Sequence, residues 1–286
     1  MDKDIFYKLG LSENSNLFKA YSTAYNSAKI LQQTRFIITY TVSIALPILS
    51  IYNPSHRSTF SIFGGLWTLT AFFVTLREKD FIKGAAKLQD EFDSNIFSLP
   101  RNEILVGARP SEWNIEQLSS KYRGKEDVKN WYGFLQKNLI SLNVLTCQRS
   151  NIIWDWRLRK SYFLSLLAML VILFLGGVTA SIFFKLTLSE YIISVFLPAS
   201  SALVLGVKEL LEHYDNYTSK LKLEAKLNSK IEKQKNGHND VSEMELRQIQ
   251  DVIFLSRKCS ALVPTWYYNM KKKAYNKRMQ AVINAV

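Results

Sequence analysis

The chain has 286 residues and a formal net charge of +13, and 48% of its residues are hydrophobic. Only two cysteines occur, which excludes a disulfide-stabilised secreted domain. The positive charge does not require a nucleic acid partner, because anionic lipid beside a basic membrane protein accounts for it. We therefore expect no direct binding of DNA or RNA.

Four long apolar runs contain no charged residue, and they are arranged as two hairpins. A helix needs about 20 apolar residues to cross a bilayer. Helices of soluble proteins normally keep one charged face, which none of these runs has. The sequence therefore predicts an all-α integral membrane protein with four transmembrane helices as two hairpins, extended by cytoplasmic helices. The predicted spans are residues 36–52, 59–76, 161–184 and 191–207.

The lysines and arginines lie almost entirely on one side of these spans. Of the 37, only Arg57 and Lys185 fall in the two loops inside the hairpins. The positive-inside rule therefore places both termini and the central segment in the cytoplasm. The chain divides into an N-terminal cytoplasmic segment, a first hairpin, a central cytoplasmic segment, a second hairpin and a C-terminal cytoplasmic segment, at residues 1–35, 36–76, 77–160, 161–207 and 208–286.

The three cytoplasmic segments have a helical pattern, and several continue directly from a span. Apolar residues at a three-to-four spacing extend the second span's helix, and no proline interrupts residues 126–184. The fourth span continues to about Lys235 as a rod of roughly 65 Å. A capping box at residues 242–245 predicts another helix, and a final helix follows Pro264. Such helices transmit rearrangements to the membrane or serve only as stalks, and the sequence leaves both readings open.

Motifs for catalysis are absent from the sequence. It has no Walker loop, no serine nucleophile elbow, no zinc-binding His-Glu-x-x-His and no paired Cys-x-x-Cys. The histidines at positions 56, 213 and 238 have no partner pattern. The acidic residues at positions 90, 91 and 93 are interpreted as a solvated helix face, because neighbours at i and i+1 point apart. We expect a protein that is not an enzyme and that has no metal or cofactor site.

Small and polar residues recur on one face of several spans. Close packing between helices is favoured over a water-filled lining as the explanation. Two prolines weaken helix hydrogen bonding within the first and fourth spans and are candidate gating positions. The candidate pore and gating residues are Thr39, Ser43, Pro47, Ser61, Gly65, Thr68 and Pro198.

Three stretches outside the spans carry a resemblance to a known family. They are residues 87–102, which contain Asp-Glu-Phe-Asp, residues 147–159, which contain Trp-Asp-Trp, and residues 263–268, which contain Pro-Thr-Trp. Together with the two-hairpin layout, they resemble the SMODS-associated four-transmembrane effector family of bacterial cyclic-oligonucleotide (CBASS) anti-phage systems. The resemblance covers nearly the whole chain.

The resemblance implies a membrane effector of abortive infection. Such an effector binds a cyclic di- or trinucleotide made by a partner nucleotidyltransferase and permeabilises the bacterial inner membrane, as a homo-oligomer. Two other classes of protein remain open: a non-gated scaffold that recruits a cytoplasmic partner, and a small transporter. Transporters usually carry buried charges in their spans, and these four runs have none.

A cyclic oligonucleotide site needs cationic side chains beside aromatic faces. Two segments offer that mixture, one near Arg149 before the third span and one after Pro264. For the lysines of the second segment, a lipid-surface helix is the favoured alternative. The predicted ligand-binding residues, expected to form one cytoplasmic pocket, are Arg149, Trp266, Tyr267, Lys271 and Arg278.

Overall fold

The computed structural model describes residues 5–124, 128, 132, 140–236 and 241–284, with side chains described as far as residue 275. All regular elements of this part are helical, which confirms the predicted all-α class. The α-helices are α1 (Ile5–Leu9), α2 (Ser12–Tyr52), α3 (Arg57–Phe97), α4 (Glu103–Val106), α5 (Glu112–Ser119), α6 (Ile140–Phe183), α7 (Leu188–Tyr191), α8 (Leu197–Lys235), α9 (Glu243–Cys259) and α10 (Thr265–Asn284).

Four of the helical stretches are long and apolar enough to cross a bilayer, and they coincide with the predicted spans. Each continues well past its span on the side where α1, α9 and α10 lie. We call the part of the protein on that side the helical body. The prediction that the body is built from direct extensions of the membrane helices is confirmed for α3, α6 and α8, and α2 also continues from its span into the body.

The fourth span is not one uniform α-helix. Residues Ile192–Phe196 form a π-helical turn between α7 and α8. Pro198 follows this turn and has no backbone N–H to donate, so the preceding carbonyls must find other partners and the helix widens locally. Past Pro198, α8 runs without interruption to Lys235, where the sequence predicted the rod to end.

The spans pack as two hairpins, α2 with α3 and α6 with α8, and α8 also lies against α2 and α3. Small hydroxyl side chains lie where α8 contacts α2, since Ser43 Oγ and Ser201 Oγ are 2.9 Å apart. At the loop end of the bundle, Arg57 forms an ion pair of 2.5 Å with Glu190. The two hairpins are thus joined at the loop end and along the spans.

The apolar core of the body collects residues from α1, α2, α3, α6, α8 and α9. Leu17, Phe92, Leu145 and Leu227 are each almost fully buried in it. Helix α9 closes this core, and it begins at the predicted capping box, in which Ser242 Oγ accepts a hydrogen bond from the Glu245 backbone N–H at 3.3 Å. This packing places α9 against α3 and α6.

Candidate functional site

Buried charged residues of the body form three clusters between α9 and the membrane. The first lies where α9 packs on α3 and contains Asp90 and Asp93, both almost completely buried. The interpretation of these carboxylates as a solvated helix face is therefore wrong. They lie three residues apart, so they share one face of α3, and α9 covers that face with arginines. We call this group the α9 cluster.

Two arginines and a glutamine of α9 compensate the buried carboxylates of this cluster. Arg247 Nη2 lies 3.0 Å from Asp90 Oδ1, and Arg257 Nη1 lies 2.5 Å from Asp93 Oδ2. Gln250 Nε2 donates to Asp93 Oδ2 at 2.9 Å. Burial raises the pKa of Asp90, and the charge of Arg247 opposes that rise. Carboxylates this deeply buried need such partners, so α9 is held to α3 by charge as well as by apolar packing.

The second group, the middle cluster, joins α6 to α8. Asp155 accepts hydrogen bonds from Arg159 Nε at 2.6 Å and from Lys220 Nζ. Burial alone would raise the pKa of Asp155, but the two cations hold it well below its usual range. His213 lies completely buried beside Arg159, with 3.3 Å between its Nδ1 and Arg159 Nη1. Burial, with help from the Arg159 charge, lowers the pKa of His213 to about 3, so this ring is neutral at physiological pH.

The third group, the membrane-edge cluster, lies where the spans enter the body. Arg35 of α2 makes two hydrogen bonds to Glu78 of α3, at 2.6 and 3.1 Å, and a third to Glu209 of α8. The side chains of all three are less than a tenth exposed. Beside them lies a cavity of about 20 Å³, which is room for one water molecule. Three helices are therefore tied together just past the ends of their spans.

The segment between α9 and α10, residues 260–264, links these clusters, and we call it the connector. All five of its residues are buried. The Ala261 N–H donates to Glu212 Oε2 at 3.1 Å, and the Ala261 carbonyl accepts from Arg159 Nη1 at 2.7 Å. The Leu262 carbonyl accepts from Gln32 Nε2 at 2.9 Å. The connector is thus held by side chains of α2, α6 and α8 at the level of the membrane-edge and middle clusters.

One face of α8 contributes to the membrane-edge cluster, the middle cluster and the contacts of the connector. Its polar residues follow each other at three-to-four spacing, which places them on one helical stripe. Glu209 belongs to the membrane-edge cluster, while His213 and Lys220 belong to the middle cluster. The stripe, which we call the α8 stripe, consists of Glu209, Glu212, His213, Asn216, Lys220, Glu224 and Asn228.

Arg149, a predicted ligand residue, lies at the far end of the α8 stripe. Its Nε donates to Asn228 Oδ1. Two turns closer to the membrane on the same face of α6, Trp156 Nε1 donates to Glu224 Oε2 at 2.7 Å, and the Arg157 guanidinium lies 5.5 Å from the Trp156 ring. Burial lowers the pKa of Arg149, and Glu224 opposes that effect. Guanidinium groups and an aromatic ring therefore follow the seam between α6 and α8.

The other predicted ligand residues lie elsewhere. The Tyr267 hydroxyl is 2.6 Å from Ser161 Oγ, at the first turn of the third span. Ser161 is twelve residues from Arg149, which is about 18 Å along α6. Trp266 is 58% exposed, and Lys271 Nζ lies 5.7 Å from the Tyr267 ring. The structure does not bring these residues to Arg149. The side chain of Arg278 falls outside the described part of the chain.

The candidate pore residues mostly serve contacts within the bundle. Thr39 accepts a hydrogen bond from Trp67 Nε1 at 3.1 Å, and Ser43 contacts Ser201. Pro47 is buried, while Ser61 donates to the Ile193 carbonyl. Thr68 donates to the Gly64 carbonyl at 2.9 Å, and Pro198 also packs against Gly64. Gly65 differs, because a Cβ there would meet no atom within 4 Å. These placements match close packing of helices, and the outward face at Gly65 is open to lipid or another copy.

Sequence reasoning missed the buried clusters and the connector. The signal for the α8 stripe was present, since polar residues recur at three-to-four spacing beyond residue 207. The opposite charges of Arg35, Glu78 and Glu209 also lie within two residues of predicted span ends. Nothing in a single sequence showed that these groups face one another.

The bundle of four long apolar helices, with a polar network buried in a large body, defines a multi-pass membrane protein whose body is built largely from continuations of its spans. The sequence profile of the SMODS-associating 4TM effector domain family matches residues 3–286. A curated relative, described as a probable CBASS effector molecule of Bacillus cereus (strain VD146), is 33% identical over 287 residues, covering 95% of this chain and 94% of the relative. The chain therefore belongs to the SMODS-associating four-transmembrane effector family of CBASS anti-phage systems. No solved structure matches the chain.

Proposed function

We propose that the protein binds a cyclic di- or trinucleotide in its helical body and in response permeabilises the bacterial inner membrane, which kills the infected cell. Both termini and the body lie in the cytoplasm in this proposal, on the side that carries nearly all lysines and arginines. In this proposal, the protein acts by letting solutes cross the membrane and does not catalyse a reaction. The activator is a cyclic oligonucleotide and not DNA or RNA.

The observation that carries this proposal is the α8 stripe. A single helix face contacts Arg149 at one end and Arg35 at the other. The stripe from Glu209 to Asn228 spans nineteen residues, or about 28 Å along the helix. Because buried charges are costly once they lose their partners, a shift of α8 cannot be absorbed locally and must rearrange several pairs together. Such a network favours two discrete arrangements over a continuous deformation.

The activator site is proposed along the seam of Arg149, Trp156 and Arg157. A phosphate can accept paired hydrogen bonds from a guanidinium, and a base can stack on the indole ring. Arg149 is bound to Asn228, and Trp156 is bound to Glu224, so both anchors on α6 already contact α8. An activator that engages Arg149 competes with Asn228 for it. Binding there would therefore change the contact between α6 and α8 directly.

In this proposal, the observed arrangement is the closed one. Arg35 joins α2 to Glu78 of α3 and Glu209 of α8, and a cavity beside these residues, of about 20 Å³, has room for one water molecule. Opening therefore requires α8 to move away from α2 and α3. Four helices leave little room for a conducting hole, so we propose that several copies assemble, with outward positions such as Gly65 between them.

Dye-loaded liposomes that contain the purified protein test this function. Cyclic di- and trinucleotides are added one at a time, and dye release and calorimetric binding are both measured. We expect one of these compounds to bind and to cause release, and the Arg149→Ala variant to bind it at least tenfold more weakly. The matched control is Arg123→Ala, which removes an exposed arginine of the body. Binding without release would favour a scaffold, and the absence of binding by every compound would overturn the proposal.

A further inference from the structure

The first half of α10 exposes apolar and basic side chains together. Trp266 and Met270 are each 58% exposed, and Lys273 is exposed as well. Residues four and seven apart on a helix lie on one face, so these three form a single stripe. The opposite side of α10 packs on α6 through Tyr267 and its neighbours. Two large apolar side chains on an outer face call for an apolar environment.

Hydrogen bonds fix the level of this stripe relative to the membrane. The Tyr267 hydroxyl lies 2.6 Å from Ser161 Oγ and 3.1 Å from Ser165 Oγ. Its ring also packs on Tyr162, with 5.1 Å between ring centroids. These three partners form the first turns of the third span. The start of α10 therefore lies at the bilayer surface, where tryptophan and tyrosine are enriched in membrane proteins.

Two lysines of α10 lie beside these aromatic rings. Lys271 Nζ is 5.7 Å from the centre of the Tyr267 ring, and Lys272 Nζ is 5.6 Å from that of Tyr268. The Tyr268 ring is in turn 5.0 Å from the ring of Trp154. Residues 265–286 contain no aspartate or glutamate, so α10 supplies no anion of its own to these ammonium groups. Lipid phosphates are anions found at this depth.

We propose that residues 266–273 of α10 form an interfacial segment that binds the phosphate headgroups of anionic phospholipid in the leaflet facing the body. Trp266 and Met270 enter the boundary between headgroups and acyl chains, while Lys271 and Lys273 contact the phosphates. The location at the first turn of a span favours lipid over a soluble partner. Because α10 follows the connector directly, this attachment holds one end of the connector at the membrane. The proposal does not depend on nucleotide binding.

Depth-dependent quenching in nanodiscs tests the apolar part of the proposal. The full-length protein carries an environment-sensitive fluorophore at Met270→Cys in a Cys259→Ser background, where the other cysteine, Cys147, is buried. Brominated phosphatidylglycerol is the quencher. We expect strong quenching at position 270 and none at the control Met244→Cys, which is 72% exposed on α9. Equal, weak quenching at both sites would overturn the proposal. Self-quenching at position 270 that is insensitive to brominated lipid would assign the stripe to a second copy instead.

The choice of headgroup tests the basic part. Quenching is titrated with brominated phosphatidylglycerol and with brominated phosphatidylcholine, and their ratio gives the preference for anionic lipid. Interfacial lysines attract anionic lipid, so Lys271→Gln with Lys273→Gln should reduce the preference at least fivefold. The control pair, Lys222→Gln with Lys226→Gln, removes two exposed lysines of α8 and should leave the preference unchanged. An unchanged preference in the α10 variant would overturn the assignment of the lysines.

Discussion

Gly64 of α3 lies directly against the backbone of Pro198 of α8. A Cβ built on Gly64 would be only 2.7 Å from the Cα of Pro198 and 3.1 Å from its carbonyl oxygen. The neighbouring Gly65 faces away from the bundle, with no atom within 4 Å of such a Cβ. The two hairpins therefore meet at Gly64, at the turn where the fourth span changes from π to α geometry.

This contact predicts opposite effects for two adjacent substitutions. Gly64→Ala should destabilise the protein by about 1–3 kcal/mol, because the clash is with backbone and one helix must move. Gly65→Ala should be neutral or stabilising by up to about 1 kcal/mol, because alanine is the better helix former. Unfolding of both variants in detergent micelles measures the difference. Equal stability of the two variants would contradict the packing described here.

The membrane-edge cluster predicts a large loss of stability on removal of Arg35, which pairs with both of its carboxylates. Arg35→Met leaves Glu78 and Glu209 buried without their partner, which should cost about 3–5 kcal/mol of stability. The control Arg77→Met removes an exposed arginine of the neighbouring helix α3 and should lower the free energy of unfolding only slightly. Denaturant unfolding in micelles provides the comparison.

A rescue experiment separates charge from packing in this cluster. Adding Glu78→Gln and Glu209→Gln to Arg35→Met removes the unpaired charges and should recover most of the lost stability. If the triple variant is as unstable as Arg35→Met alone, then the loss comes from the volume and hydrogen bonds of the arginine.

His213 predicts a loss of stability in mild acid. The folded protein keeps this ring neutral because its pKa is lowered to about 3, whereas the unfolded chain binds the proton near pH 6.5. Above pH 6.5 the ring is neutral in both states and does not change the free energy of unfolding. Below pH 6.5 the free energy of unfolding falls, and at pH 5 it is lower by about 2 kcal/mol. The charged groups facing the ring are Arg159 and Asp155 on α6 and Lys220 on α8. The depressed pKa of Asp155 weakens the fold only at still lower pH.

Substitution of this histidine should remove the acid sensitivity. His213→Gln is expected to flatten the dependence of unfolding free energy on pH between 6.5 and 4.5. The control His56→Gln changes a histidine in the loop between the first two spans and should keep the parent's slope. A parental slope in His213→Gln would mean that another group is responsible.

The sequence was sufficient to predict the spans and their extensions, because both depend on local pattern. Charge-free runs marked the four spans, and the capping box at Ser242 marked the start of α9. The buried carboxylates of Asp90 and Asp93 were misjudged, because their partners Arg247 and Arg257 lie more than 150 residues away in the chain. Local pattern shows which residues share a helix face but not which helix will cover it.

The same limit applies to the candidate site. The segment near Arg149 and the segment after Pro264 both combine cationic side chains with aromatic rings, but only the packing of α10 shows that Arg149 and Trp266 are far apart. The contacts of the connector could not be predicted either, because they use backbone groups of Ala261 and Leu262, whose side chains are apolar. Every residue except proline carries the same backbone donor and acceptor, so the sequence does not indicate which of these groups accept hydrogen bonds from side chains.

Under the proposed function, the contacts of the connector predict that Glu212 stabilises the closed arrangement. Its carboxylate accepts a hydrogen bond from the Ala261 N–H and pairs with Lys79 Nζ at 2.8 Å, so it joins the connector, α3 and α8. Glu212→Gln removes the charge at nearly constant volume. The glutamine can still accept from the Ala261 N–H, but that hydrogen bond is then neutral and the ion pair with Lys79 is lost. A hydrogen bond to a charged group contributes about 1.5–3 kcal/mol and a neutral one about 0.5–1.5 kcal/mol, so the substitution weakens the closed arrangement and shifts the equilibrium towards opening. We expect dye release without activator to rise at least tenfold, while Glu232→Gln, an exposed control on α8, stays at the parent's level. Unchanged release together with normal membrane insertion would show that the connector does not restrain the spans.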